Sequence, residues 1–273
     1  MFDKRKNCTG QVSKSEFRCR REPFTIRGKE FRPEGNKLPI AIVSHQFMAS
    51  MNTVEKYAKL LADMGYVSYC FDFCGGGLKS KSDGKTTEMS VETEVKDLEA
   101  VIAYAQSRDY TDSDNIVLVG CSQGGLVSAI TAGRHDSEIS KLVLFYPALC
   151  IPDDVRAGRI TFVKFDPDNV PDIIRCGMMK LGKCYVNDVS DMNVAEEIQK
   201  FSGDVVIVHG TKDKIVDISY SENAFRTYTE RKGTEETPVG RAEFYTIENG
   251  AHGFRGKRDK IAVSHMKDFL TTA

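Results

Sequence analysis

The chain has 273 residues, of which 41% are hydrophobic and 28% are charged, and its formal net charge is -1. This length fits one large α/β domain over residues 1–273, and the near-neutral charge gives no electrostatic reason to expect nucleic acid or an anionic membrane as a partner. We therefore expect one domain that acts on a small molecule.

The first residues, the apolar stretches and the cysteines predict the cellular compartment of the protein. The basic first residues are not followed by an apolar signal segment, and no stretch is apolar over the ~20 residues of a membrane span, so we predict a cytoplasmic protein. The eight cysteines lie partly in apolar runs and are predicted to be reduced and mostly buried. Cys70 and Cys74 lack a second Cys or His pair at zinc-site spacing, so we expect no metal and no cofactor.

In chain order, short runs of β-branched and aromatic residues alternate with helical patterns. The runs are 39–44, 67–72, 115–120, 141–146, 204–209 and 242–247. Most are apolar on both faces, as buried parallel strands are. Helices are predicted over about 53–64 and 91–107, and from near Gly124, Ser219 and Asp259. This alternation predicts an α/β fold with a mostly parallel, doubly wound sheet.

Local signals mark several element ends. The weaker runs 24–27 and 30–32 are predicted to form an antiparallel hairpin at one edge of the sheet. Residues 52–55 resemble a capping box for the first helix, and Ser90 is the expected N-cap of the second. More than fifty residues separate the runs 141–146 and 204–209, so we predict an inserted cap over residues 150–201.

A nucleophile-elbow pattern, G-x-S-x-G, occurs at 120–124, directly after an apolar run and at the start of a helical segment. Such a tight strand-to-helix turn lifts the serine hydroxyl above the sheet, and the glycines leave room for its strained backbone. Ser122 is therefore the predicted nucleophile. A glycine-rich turn without catalysis is the alternative, and Cys121 is disfavoured as a thiol nucleophile because it is not the central residue of the pattern.

The order serine, acid, histidine predicts the partners of this serine. Asp213 follows the run 204–209, with Asp217 as a rival, and His252 follows the run 242–247. Both lie where the carboxyl ends of parallel strands place ligand-binding loops. The other histidines precede the expected order, lie beyond a helix from the elbow, or belong to the last helix: His45, His209, His135 and His265. The backbone amides of Phe47 and Gln123 are the predicted oxyanion-hole donors.

Six segments together resemble the bacterial cinnamoyl (feruloyl) esterase group of the α/β-hydrolase superfamily, and the resemblance covers roughly residues 22 to 270. The segments are 44–47, 71–77, 83–90, 120–125, 209–213 and 250–254. The resemblance implies an α/β-hydrolase fold with a cap inserted between the sixth and seventh strands, and a carboxylesterase that accepts hydroxycinnamate esters.

The resemblance also implies substrate contacts in and near the cap. Asp154 and Tyr185 match positions that contact the phenolic ring of the acyl group. Gln46 stands where the group has glycine, which predicts either a strained oxyanion loop or a side chain that narrows the acyl pocket.

The sequence thus predicts a serine carboxylic ester hydrolase that works through an acyl-enzyme on a small-molecule ester. Within the same chemistry, a short-chain acyl esterase, a thioesterase and an acyl-peptidase stay open. A non-catalytic hydrolase-fold protein that binds a small ligand is the alternative from another class. A homodimer is also left open.

Overall fold

The structure, a computed structural model, describes residues 11–233 and 238–272. Its first half alternates strands and helices along the chain. In order, these are β1 (Ser13–Arg21), β2 (Phe24–Arg32), β3 (Leu38–Ser44), α1 (Met51–Asp63), β4 (Val67–Asp72), α2 (Val91–Gln106), β5 (Thr111–Cys121), α3 (Gln123–Arg134) and β6 (Ile139–Phe145).

A segment of short elements follows β6. It consists of α4 (Ile151–Arg156), β7 (Arg159–Ile160), β8 (Val163–Lys164), β9 (Ile173–Cys176), β10 (Met179–Gly182), α5 (Cys184–Asn187) and α6 (Val194–Ile198). The strands β7 and β8 pair with each other, as do β9 and β10, and neither pair joins the main sheet. We call residues 150–201 the cap.

The chain then returns to the main sheet through β11 (Asp204–Gly210), α7 (Ser219–Thr229), β12 (Ala242–Ile247) and α8 (Lys257–Thr271). The sheet has eight strands in the order β1-β2-β4-β3-β5-β6-β11-β12, and all pairs from β4 to β12 are parallel. The predicted mostly parallel sheet is confirmed, and the cap enters between its sixth and seventh strands. The chain order reverses at β3, so the loops after β3 and β5 are neighbours.

Alternate residues of the central strands point to opposite faces and build two cores. On one face, residues such as Val43, Val119 and Phe145 pack against α1 and α8. On the other, residues such as Ile42 and Leu118 pack with α2, α3 and much of the cap. Burial on both faces explains why these strands are continuous apolar runs rather than alternating ones. The cap therefore shares a core with the sheet and its helices.

The structure corrects two predictions near the N-terminus. The runs 24–27 and 30–32 are not two strands of a hairpin, because both belong to β2, whose hairpin partner is β1. Helix α1 does not begin with the capping box at 52–55. Its N-cap is Ser50, and a carboxylate oxygen of Asp72 on β4 accepts a hydrogen bond from the Met51 amide over 2.6 Å. By contrast, Ser90 is the N-cap of α2, as predicted. It forms a full capping box with Thr93.

The described cysteines are free thiols, and all but Cys184 are buried, which confirms the predicted burial; Cys8 lies outside the described residues. In 11–233 and 238–272, the structure has no helix that is long and apolar enough to cross a membrane. Within the same ranges, no group of three or more His, Cys, Asp or Glu side chains is arranged to hold a metal ion.

Candidate active site

Ser122 lies at the turn between β5 and α3, with backbone angles φ 53° and ψ -120°. A non-glycine residue seldom adopts this region, and holding it there costs about 1–3 kcal/mol. The Ser122 amide donates to the Phe145 carbonyl oxygen (3.0 Å), and its own carbonyl accepts from the amides of Gly125 (2.8 Å) and Ala148 (2.9 Å). These bonds hold the strained strand-to-helix turn, which has the backbone geometry of a nucleophile elbow.

The glycines of the pattern allow the turn to approach its neighbours. A methyl group on Gly124 would lie 2.5 Å from the carbonyl oxygen of His45 and 2.6 Å from that of Ser44, both at the end of β3. Backbone atoms cannot yield as a flexible side chain does, so only glycine fits. The close approach brings the elbow beside the loop that follows β3.

The structure brings Ser122, His252 and Asp213 together from three strand ends. His252 Nε2 is 2.8 Å from Ser122 Oγ, and His252 Nδ1 is 2.7 Å from Asp213 Oδ2. Because Nδ1 faces a carboxylate, it carries the proton, which leaves Nε2 free to accept from the serine hydroxyl. This arrangement of three side chains can move a proton from Ser122 to His252.

The Asp213 side chain is completely buried and fully hydrogen bonded. Its Oδ2 also accepts from His209 Nε2 over 3.1 Å, and its Oδ1 accepts from the amides of Ile215 (2.9 Å) and Val216 (3.1 Å). Burial alone would raise the pKa of Asp213, but the hydrogen bonds from the two histidines and the Val216 amide hold that pKa well below its usual range. The carboxylate is therefore ionised and fixed.

Packing holds the imidazole of His252 in place. The Tyr146 ring meets it edge to face at 4.9 Å between centroids, and Phe254 packs against Tyr146 at 5.0 Å. His252 keeps 19% of its side chain exposed, while Asp213 keeps none. The His252 imidazole is therefore accessible from solvent, whereas the Asp213 carboxylate is not.

The rivals of these residues have other partners. Asp217 is exposed and accepts from the Ser219 amide at the start of α7. His135 bonds Glu99 and Glu138, and His265 stacks on Tyr245. Cys121 is fully buried, and burial raises the pKa of its thiol to about 12, so it is a poor nucleophile at neutral pH.

The predicted oxyanion donors lie on either side of Ser122, and both residues line the same pocket. The loop that carries Phe47 is a tight turn, in which the Ala49 amide donates to the Gln46 carbonyl over 3.1 Å. His45 is buried beneath this turn. Its Nδ1 is 2.8 Å from the Gln46 carbonyl oxygen, and its Nε2 accepts from the Phe73 amide over 3.3 Å.

Gln46 does not act as predicted from its place in the oxyanion loop. It is not the residue with a left-handed backbone there, because Met48 is (φ 58°). Its side-chain oxygen accepts from Thr53 Oγ1 over 3.0 Å, toward α1, and Gln46 does not line the pocket. The prediction that it narrows the acyl pocket is therefore wrong.

A series of hydrogen bonds between buried polar side chains holds Gln123, the residue after Ser122. The side-chain nitrogen Nε2 of Gln123 donates to Glu94 Oε2 over 2.8 Å, and the Tyr185 hydroxyl donates to Gln123 Oε1 over 2.7 Å. Burial raises the pKa of Glu94 well above its usual range, and the hydrogen bond from Gln123 offsets only part of that effect. Folded Glu94 therefore holds its proton to higher pH than an exposed glutamate does, and the series of hydrogen bonds links α2, the elbow and the cap.

The pocket beside Ser122 is lined mainly by apolar side chains, several of them from the cap: Phe47, Ala148, Cys150, Ile151, Val155, Ile160, Ile215 and Val216. Its polar members include Asp154 and Tyr185, which the resemblance to cinnamoyl esterases implies as substrate contacts. Asp154 is ion-paired with Arg159, also in the lining. The volume is about 40 Å³, so in this state the pocket is a narrow slot.

Three residues of the site were missed in the sequence: His209, Glu94 and Arg159. In the sequence His209 is only a rival for His252, although its place at the end of a strand, four residues before Asp213, is a signal. Glu94 sits on the buried side of α2, where a charged residue is rare unless it is paired. Nothing in the sequence marked Arg159 as a partner of Asp154.

Comparisons with known proteins agree with this fold. The family model "Serine aminopeptidase, S33" matches residues 36–173, which is half of the chain. No curated protein matches the chain. Among solved structures, Est1E from Butyrivibrio proteoclasticus with ferulic acid bound has a TM-score of 0.82 at 24% identity, covering 94% of this chain and 100% of that chain.

A fungal structure is also similar. The α/β hydrolase GrgF from Penicillium has a TM-score of 0.70 at 16% identity, covering 94% of this chain and 98% of that chain. At these identities the similarity concerns the fold, and it confirms the α/β-hydrolase fold predicted from the sequence.

Proposed function

The chain belongs to the serine aminopeptidase family of α/β hydrolases, and from that premise we propose that it is a serine carboxylic ester hydrolase acting on a small-molecule ester. The observation that carries the proposal is the unbroken hydrogen-bonded line from Ser122 Oγ through His252 to Asp213, with distances of 2.8 Å and 2.7 Å, beside an apolar pocket.

The reaction follows from the proton positions. Ser122 Oγ attacks the ester carbonyl carbon as His252 Nε2 takes its proton, and the amides of Phe47 and Gln123 stabilise the negative oxygen that forms. His252 then gives the proton to the leaving alcohol, which leaves an acyl-enzyme. Water, deprotonated by His252, attacks this acyl group, and the acid is released as Ser122 regains its proton.

Hydroxycinnamoyl esters are the first choice of acyl group. The apolar lining suits an aromatic ring, and the Asp154 carboxylate can accept a hydrogen bond from a ring hydroxyl. The Tyr185 hydroxyl proton is already donated to Gln123, so toward a phenol Tyr185 acts through its oxygen lone pairs. Est1E, whose fold this chain shares, binds ferulic acid.

Short-chain acyl esters are the second candidate, and the pocket volume favours them. About 40 Å³ is far below the ~300–1,000 Å³ of pockets that enclose drug-sized ligands. A feruloyl group requires cap side chains such as Arg159 and Ile160 to move, whereas a small acyl group requires less movement.

An aminopeptidase activity fits this pocket less well, despite the name of the family. Binding a free amino terminus requires a carboxylate that is available to an ammonium group. Among the described lining residues Asp154 is the one carboxylate, and Arg159 already neutralises it. An uncharged ester suits the site better.

The test compares hydrolysis of methyl ferulate and p-nitrophenyl butyrate by the wild type and by Ser122→Ala. We expect turnover of at least one ester by the wild type and none above background by the variant. Preference for the ferulate supports the phenolic pocket, and turnover of butyrate alone assigns the short-chain alternative. No turnover of either ester, or equal rates in the variant, would overturn the proposal.

A further inference from the structure

A second histidine lies behind the triad, and the reaction above does not use it. His209 is the penultimate residue of β11 and is fully buried. Its Nδ1 is 2.7 Å from Ser221 Oγ on α7, while its Nε2 is 3.1 Å from Asp213 Oδ2 and 3.2 Å from the Val216 carbonyl oxygen. All polar atoms of this ring therefore have partners.

The partners dictate which nitrogen of His209 carries the proton. Nε2 faces two acceptors, the Asp213 carboxylate and the Val216 carbonyl, and a lone pair there would be repelled by both. Nε2 is therefore protonated. Nδ1 then accepts from the Ser221 hydroxyl, which can donate or accept, so one neutral tautomer satisfies every contact.

Two imidazoles thus donate to the same carboxylate oxygen of Asp213. The His252 Nδ1 contact is 2.7 Å and the His209 Nε2 contact is 3.1 Å, and the other oxygen accepts two backbone amides. The Asp213 side chain has no exposed surface through which water could replace a lost donor. Each donor withdraws charge from the carboxylate and so weakens its attraction for a proton on His252.

We propose that His209 is a positioning residue: its Nε2–H shares the Asp213 carboxylate with His252 and so makes His252 an unprotonated, active base at lower pH than it would otherwise be. The proposal rests on the proposed function. His209 touches neither Ser122 nor the pocket, and it acts only through Asp213.

Other groups face His252, Asp213 or His209, and substitution of His209 leaves them unchanged. The Tyr146 ring and the Ser122 hydroxyl face His252, and Asp217 is exposed on the loop before α7. The Ser221 hydroxyl faces His209 from α7. A change confined to His209 therefore tests its donor rather than a neighbouring charge.

The experiment measures the pH profile of kcat/KM, on whichever of the two esters the wild type hydrolyses, for His209→Leu and His209→Gln. Leucine removes the donor, so Asp213 holds a proton on His252 more strongly and the acid limb of the profile moves to higher pH, by about half a unit to one unit. The amide nitrogen of glutamine reaches the place of Nε2, so His209→Gln is expected to keep the acid limb within about 0.2 unit of the wild type.

A matched control is His135→Leu, which removes a histidine hydrogen bonded to two carboxylates on the far side of α3. Its acid limb should coincide with that of the wild type. If His209→Leu does not fold, His209→Asn replaces it, because the shorter amide cannot reach Asp213 from β11.

The outcomes separate this proposal from the one on which it rests. His209 only fills space if His209→Leu lowers the rate at every pH and leaves the acid limb unmoved. The same conclusion follows if His209→Gln shifts the acid limb upward as His209→Leu does. Either result would overturn the proposal. Failure of the wild type to hydrolyse either ester would instead refute the proposed function.

Discussion

The triad and the cap pocket meet at Ser122, yet they are built in contrasting ways. The triad residues follow long parallel strands, and the acid among them is fully buried with every lone pair engaged. The cap consists of two-residue and four-residue strands and helices of six residues or fewer, and the tips of its two hairpins expose Phe162 (83%) and Met178 (86%).

Short elements contribute few hydrogen bonds and little buried area, so they open at a lower free-energy cost than the central sheet does. We therefore propose that the sheet fixes the chemistry of this protein, whereas the cap determines its selectivity. Variants on each side of Ser122 test this contrast. Changes in the sheet should alter the rates on all esters equally, whereas changes in the cap should alter them unequally.

The largest effect is expected at the buried acid. Asp213→Asn keeps the shape of the side chain but turns an NH₂ group toward an imidazole, so His252 adopts the wrong tautomer and kcat falls by about 10⁴-fold on every ester. Steady-state kinetics on both esters measure this loss. The control is Asp217→Asn, four residues later on the exposed surface, and equal losses in the two variants would contradict the assignment of Asp213.

The next effect comes from the close approach of the elbow to β3. Gly124→Ala places a methyl group 2.5 Å from the His45 carbonyl oxygen, so the oxyanion loop must shift and the free energy of unfolding falls by about 1–3 kcal/mol. Denaturant unfolding and kcat on the better ester measure both changes.

Gly177→Ala provides the comparison within the cap. Nothing lies within 4 Å of a methyl group there, although the backbone is left-handed (φ 63°). We expect a loss of about 1 kcal/mol in stability from the strained backbone and an unchanged kcat. If Gly124→Ala behaves in the same way as Gly177→Ala, the elbow is less tightly packed than the structure indicates.

A smaller, selective effect is expected at the polar end of the pocket. Asp154→Asn removes the charged acceptor for a ring hydroxyl, so the ratio of kcat/KM for methyl ferulate to that for p-nitrophenyl butyrate should fall about tenfold. The neighbouring Asp153 contacts Arg156 and Tyr220 outside this pocket, so Asp153→Asn is the control. An unchanged ratio in both variants would remove Asp154 from the acyl site.

The last effect is on stability alone. Folded Glu94 holds its proton to higher pH than the unfolded chain, which releases it above the ordinary pKa of glutamate, so rising pH favours the unfolded wild type. Glu94→Gln has no proton to release, and its stability relative to the wild type should grow by up to about 1.4 kcal/mol per pH unit above pH 4.5.

Thermal unfolding from pH 4 to 8 measures this difference. The control is Glu92→Gln, two residues earlier on α2, where the carboxylate is partly exposed and pairs with Arg134. Parallel curves for the wild type and Glu94→Gln would show that Glu94 is ionised in the folded protein.

The sequence predicted those parts of the structure that local patterns encode. Buried parallel strands are recognisable as apolar runs, and an elbow serine with an ordered acid and histidine at later strand ends identifies the triad positions. β1 escaped prediction because only Phe17 and Cys19 of its nine residues are buried, so it has no apolar run.

The remaining misses are contacts between distant segments. Helix α1 is capped by Asp72 from another strand, and Gln46 turns toward Thr53 rather than into the pocket. The partner of Tyr185 is Gln123, 62 residues earlier. Such pairings depend on how elements pack, and spacing along the chain does not determine them.

Covalent labelling shows whether Ser122 is the nucleophile of an acyl-transfer reaction. The wild type, Ser122→Ala and His252→Ala are treated with a fluorophosphonate, and the labelled peptides are identified by mass spectrometry. We predict one adduct per chain on Ser122 in the wild type, none in Ser122→Ala and much slower labelling in His252→Ala. Labelling of another residue, or the absence of labelling in an active wild type, would contradict the assignment of Ser122 as the nucleophile.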